Sequence, residues 1–152
     1  MSHIVAGSLV LILAAGSAAG QAQDTFEVTR SIIQSERRSI VADTMKLDET
    51  QASEFWPLYD SYRDNIGLVN ERSIKLLEDY AAAYETLTDS QAGRLMDEWL
   101  DIESVRQEIR EKWVRRFSRR LPQRVVARFF QLDNKLDTVV RAELARIIPL
   151  AR

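Results

Sequence analysis

The sequence predicts an all-α fold of about four helices arranged as elongated antiparallel hairpins, and three observations carry that prediction. After residue 23, apolar residues recur at three- and four-residue steps, the period of a helix with one buried face. In that stretch only Gly67, Gly93, Pro57, Pro122 and Pro149 could supply turn residues of the strongest kind, too few for the hairpins of a sheet. Two short elements, Leu47-Asp48-Glu49-Thr50-Gln51 and Leu87-Thr88-Asp89-Ser90-Gln91, spell the same helix start, and each opens a long amphipathic run.

The elements follow in order. Ile4 to Ala15 is apolar but too short to span a bilayer, and it is followed by small residues ending in Gly20-Gln21-Ala22. Residues 1–22 therefore read as a secretory signal cleaved after Ala22, leaving residues 23–152 as one helical domain. A first helix is expected from about Asp24 to Met45, with Phe26, Ile32, Ile33, Ile40 and Val41 as its apolar side. From Glu49 to about Thr86, a stripe of Phe55, Tyr59, Tyr62, Ile66, Val69, Leu76 or Leu77, Tyr80 and Tyr84 predicts a helix of roughly 55 Å. Pro57 lies inside it and is expected to kink its first turns. The next helix carries Leu95, Trp99, Ile102, Ile109, Trp113 and Phe117 on one face and ends near Leu121. Pro122 suits the first turn of a last helix, whose stripe is Val125, Phe129, Leu132, Leu136, Val139 or Val140, Leu144 and Ile147.

In both helix starts a short oxygen side chain, Asp48 or Thr88, can accept from the backbone N–H three residues on, while Gln51 or Gln91 reaches back. Leu47 and Leu87 stand where a hydrophobic staple would close on Ala52 and Ala92. On the residues alone these are ordinary helix N-caps placed at two hairpin corners.

The second element is a literal Leu-Thr-x-x-Gln. With the secretion signal and the all-helical pattern, it makes the chain resemble the LTXXQ family of bacterial periplasmic proteins, the Spy and CpxP relatives. The first element departs from the family pattern, with Asp48 where the family has Thr. Phe55-Trp56-Pro57-Leu58-Tyr59 and the run from Leu121 to Leu132 resemble a subgroup of uncharacterised proteobacterial members. The resemblance implies an antiparallel homodimer with a curved cradle. Two helices near 50 Å also exceed a compact globule of this mass, whose radius of gyration would be about 14 Å; a monomeric four-helix bundle is the alternative.

Charge is strongly segregated beneath a net charge of −2. From Asp24 to Glu103 there are 18 acidic and 8 basic residues; from Ser104 to Arg128 there are 9 basic and 2 acidic. Cations at the negative end of a helix explain two or three of Arg115, Arg116, Arg119 and Arg120. With Arg124 and Arg128 these make like-charged neighbours that repel unless something anionic lies near. The expected partner surface is therefore Arg115, Arg116, Arg119, Arg120, Arg124 and Arg128. It would receive the acidic helix of a partner subunit, an anionic lipid surface in peripheral contact, or an acidic client segment. Nucleic acid is disfavoured by secretion and by a sequence pI near 5.5.

Catalytic chemistry finds no residues to carry it. Cysteine is absent, the single histidine is His3 inside the signal, and there is no Gly-rich phosphate loop. Carboxylate pairs such as Asp97 with Asp101 read as a solvated helix face. No metal or other cofactor is expected, because Met45 and Met96 are the only methionines after the signal and imidazole and thiolate are missing. Trp56, Trp99 and Trp113, at helical spacing, are expected in the core. These residues predict a protein that is not an enzyme, and the resemblance implies a periplasmic, ATP-independent chaperone-like or envelope-stress protein that binds unfolded clients. A CpxP-like regulatory binder of a sensor's periplasmic domain, and a structural helical module without clients, are the alternatives.

Overall fold

The computed structural model describes residues 35–151, so the expected secretory signal and the residues before 35 expected to begin the first helix, with Phe26, Ile32 and Ile33, lie outside the described residues. Four α-helices account for the fold: α1 (35–45), α2 (Glu49–Ala83), α3 (Asp89–Ser118) and α4 (Gln123–Ile147). A short 3₁₀ turn, Tyr84–Thr86, joins α2 to α3. The all-α expectation holds.

Each boundary has a local cause. Helix α1 ends where Lys46 takes a left-handed backbone at φ 48, the stop conformation usually left to glycine. Two residues on, Asp48 accepts from the Gln51 backbone N–H at 2.8 Å and opens α2. Helix α2 continues unbroken through Pro57, which sits exposed, and the Ser61 hydroxyl donates back to the Pro57 carbonyl at 3.0 Å. At α3 the reciprocal arrangement is complete: Thr88 Oγ1 accepts from Gln91 N at 3.3 Å, and Thr88 N donates to Gln91 Oε1 at 2.9 Å. The Asp48 start is only half of that device, because among the described residues Gln51 makes no return bond. Helix α3 stops at Ser118, three residues before the expected end, and Pro122 is the residue capping α4.

The register of side-chain contacts gives the topology. Asn65 pairs with Trp113, Asn70 with Arg106 and Arg72 with Glu98, so α2 and α3 are antiparallel along their length. Tyr62 bonds to Asp133 and Tyr80 to the Pro149 carbonyl, so α4 runs parallel to α2. Arg37 meets Asp133 while Arg128 meets Met45, so α1 runs against α4. This is an up-down-up-down arrangement with short corners.

The core lies at one end, where both the α1–α2 and α3–α4 corners are found. Val41 and Met45 of α1 close over Phe55, Tyr59, Tyr62 and Ile66 of α2; Trp113, Phe117, Leu121, Val126 and Phe129 complete the cluster. Phe129 contacts Phe55 edge-on at 5.1 Å and stacks on Phe117 at 5.1 Å, arrangements favoured by ring quadrupoles. On α4 the deepest line is Val126, Phe129 and Asp133, with Val125, Leu132 and Leu136 at its flank. The helix is thus turned slightly from the expected Val125–Phe129–Leu132 stripe, and an aspartate occupies a core position.

Candidate binding surface

The arginines at 115, 116, 119, 120, 124 and 128 do gather at the corner end, but most are engaged within the chain. The Arg128 guanidinium donates to the Met45 carbonyl at 3.1 Å, satisfying an acceptor at the end of α1. The Arg116 guanidinium lies 4.7 Å over the Trp113 ring. Arg120 reaches Glu54 at 3.5 Å and Arg115 reaches Glu111 at 3.7 Å, both in solvent-screened positions. Among the described residues, the side chains of Arg119 and Arg124 make no such contact and face solvent. Arg120 and Arg128 therefore tie the corners together, Arg115 and Arg116 are engaged within α3, and two point outward without a partner.

Of the six motif residues, Asp48, Gln51, Thr88 and Gln91 act at the backbone of helix starts, and Leu47 packs against the core. Leu87 is half-buried. Leu47, Asp48 and Gln51 lie at the corner that Arg128 and Arg120 reach through the Met45 carbonyl and Glu54, whereas Leu87, Thr88 and Gln91 lie at the far end of the α2–α3 pair.

A buried ionic cluster ties all four helices together, and sequence reasoning missed it. Asp133, 1% exposed, accepts from Arg37 Nη2 at 2.5 Å and from the Tyr62 hydroxyl at 2.7 Å. The same Arg37 nitrogen donates to the Asp133 carbonyl at 3.1 Å and to Asp137 at 2.8 Å. Arg63 and Arg110 stand farther off, 3.5 Å from Asp133 and 3.7 Å from Asp137. Burial alone would lower the proton affinity of Arg37, but the two aspartates outweigh it and hold the guanidinium above its ordinary value. The Tyr62 hydroxyl is pushed well up, first by burial and then by the Asp133 charge it donates to. The geometry is that of a structural clasp, with its groups facing one another and the core. Its signal in the sequence was a charge at a core register position: Asp133 four residues after Phe129, and Arg37 four before Val41.

Beyond Val69 the α2–α3 pair becomes an arm in which none of residues 70–101 is buried. Polar contacts hold it. Arg72 bridges Glu98 at 2.8 Å and Asp101 at 2.7 Å, and Arg106, itself buried, donates to Asn70 at 2.7 Å and Ser73 at 2.8 Å. Burial lowers the proton affinity of Arg106 against the opposing pull of Glu103. A groove of about 500 Å³ runs between the helices over Leu76, Leu95 and Ala83.

On the arm the expected core placement of Trp99 is overturned. Trp113 is buried and donates to Asn65 at 3.2 Å, and Trp56 is half-buried under the Arg38 guanidinium at 4.4 Å. Trp99, however, is 47% exposed beside Met96 at 54% and Leu100 at 55%. These three lie at i, i+3 and i+4, one face of α3. Trp99 sits at the edge of the buried stripe, where none of the described elements forms a layer over that edge.

Among the described residues, no three His, Cys, Asp or Glu side chains come together in a metal-holding group, and no helix is long and apolar enough to cross a membrane. No family model matches this chain, and comparison with curated proteins and with solved structures found no match.

Proposed function

We propose that this chain is a periplasmic, non-catalytic helical protein of the LTXXQ kind, related to Spy and CpxP, that holds partly folded clients without ATP. The observation that carries this reading is the apolar face of Met96, Trp99 and Leu100, presented to solvent on an arm that contributes nothing to the buried core. The outward Arg119 and Arg124 at the opposite end supply a second, cationic contact for acidic segments. Support for the compartment comes from the Ile4–Ala15 segment and the small residues before Gln23. A broad aggregation-suppression assay tests the reading: slowed aggregation of several unrelated clients is expected, and no protection of any would overturn it.

A second reading, a regulatory binder of one partner, is favoured by the small size of that face. Three side chains on one helix suit a single specific contact better than a wide client surface. Recovery of one stoichiometric partner in a pull-down, with no general protection, would select it.

A further inference from the structure

The exposed face of α3 carries more than three apolar side chains. Asp89, Gly93, Met96, Leu100 and Glu103 follow one another at three- and four-residue steps, so they form one stripe, with Trp99 at its edge. Asp97 and Asp101 line the other edge. Asp101 and Glu103 are matched by Arg72 and Arg106, whereas Asp89 and Asp97 have no cationic partner among the described residues. The single basic residue in this stretch, Arg94, points elsewhere, to Ser90 and the α2–α3 groove. The apolar face is therefore framed by negative charge.

Gly93 is the second, independent observation. It sits inside α3, where glycine destabilises a helix relative to alanine, and a Cβ added there would meet nothing within 4 Å. No internal packing requires the missing side chain. What it does provide is bare backbone on the outward stripe, beside Met96 and Leu100, where another helix could approach closely.

We propose that this stripe docks a cationic amphipathic segment of a partner protein, its apolar side seated on Gly93, Met96, Trp99 and Leu100 and its Lys or Arg residues against Asp89 and Asp97. Charge selects this occupant. A second copy pairing through the same face would set these acids against themselves. The chain's own first 34 residues carry Asp24 and Glu27 against Arg30, so they are not a cationic segment either. The inference rests on the client- or partner-binding reading above and names the chemistry of what is bound.

The test uses the full mature chain and two labelled synthetic helices with identical Leu positions, one with Lys and one with Glu on the polar face. By fluorescence anisotropy the Lys helix is expected to bind and the Glu helix not, with binding weakened as salt is raised. Gly93→Leu and Asp97→Lys should each lower affinity about tenfold or more with helicity retained by circular dichroism. Equal binding of both helices, or full binding by both variants, overturns the proposal. Concentration-dependent dimers in light scattering that Gly93→Leu dissolves would assign the face to a second copy instead and also overturn it. Aggregation suppression is measured on the same samples. Its absence in the unmodified protein counts against client holding, whereas its survival in both variants, unaltered by salt, counts against this stripe alone.

Discussion

The two ends of the α2–α3 hairpin are built from the same kind of sequence and come out differently. Phe55, Tyr59, Tyr62 and Ile66 at one end, and Ser73, Leu76, Leu77 and Tyr80 at the other, fall on one continuous helical face of α2. The first set is buried, and the second is only partly covered. The difference is the number of layers: α1 and the start of α4 close over the corner end, while the arm has chiefly α2 against α3 and the last turns of α4. Apolar periodicity thus states which face a helix would bury, and a neighbouring layer decides whether it does.

The widest gap between the ends should appear on truncating one large aromatic at each. Phe129→Ala removes a ring packed against Phe55, Tyr59, Tyr62 and Phe117 and should cost about 3–5 kcal/mol, read from denaturant midpoints at constant slope. Trp99→Ala should stay within about 0.5 kcal/mol. Comparable losses would mean that the arm has a core of its own.

The ionic clasp should rival the aromatic core. Asp133→Ala leaves Arg37 with Asp137 as its one remaining anionic partner beside the residue 133 carbonyl, and the Tyr62 hydroxyl with no acceptor, in a site closed to water; about 3–5 kcal/mol is expected. The clasp also gives an alkaline signature. The folded state holds the Tyr62 proton more tightly than the unfolded chain, so this contribution is complete below pH 10, the ordinary tyrosine value, and is lost as pH rises beyond it. Tyr62→Phe should therefore flatten the fall of stability above pH 10, measured by chemical denaturation across that range. An identical alkaline fall would place its origin elsewhere.

Much of this was legible in the sequence. The helix ends were readable because capping is local: Thr88 and Gln91 lie three residues apart and satisfy each other without help from the rest of the fold. The buried aromatics of α2 were readable because their spacing is regular. Asp133, Arg37 and Arg106 were not, since a charge reads as surface until a partner some 36 to 96 positions away is seen beside it. Trp99 failed for the opposite reason: its spacing fits the stripe, but among the described residues no further layer covers it. The arginine cluster was found as a group, but the engagement of Arg120 with Glu54 and of Arg128 with Met45, which leaves Arg119 and Arg124 outward, depended on how the corners meet, whereas Arg116 on Trp113 is a contact within α3.

The caps offer a smaller test of the same contrast. Asp48→Ala and Thr88→Ala should each cost about 0.5–2 kcal/mol of local helix stability. Asp48 opens α2 beside the core, so its loss should lower the global denaturation midpoint. Thr88 opens the arm, where local opening need not involve the core. Its loss should chiefly speed amide hydrogen exchange in the first turns of α3. Equal global shifts would show that arm and corner unfold as one unit.

The mildest comparison uses the two helix-interior glycines. A Cβ at Gly67 or Gly93 would touch nothing within 4 Å, so alanine at either site adds no clash and removes backbone freedom from the unfolded chain. About 0.5–1 kcal/mol of stabilisation is expected from each. Gly67 adjoins buried Ile66 at the inner end of α2, so Gly67→Ala should raise the global midpoint by that amount. Gly93 belongs to the arm, so Gly93→Ala should slow exchange in α3 while moving the midpoint less. If Gly93→Ala instead raises the midpoint as much as Gly67→Ala, the arm is cooperative with the core, and its lack of buried residues reflects a thin interface between α2 and α3 that still transmits folding energy.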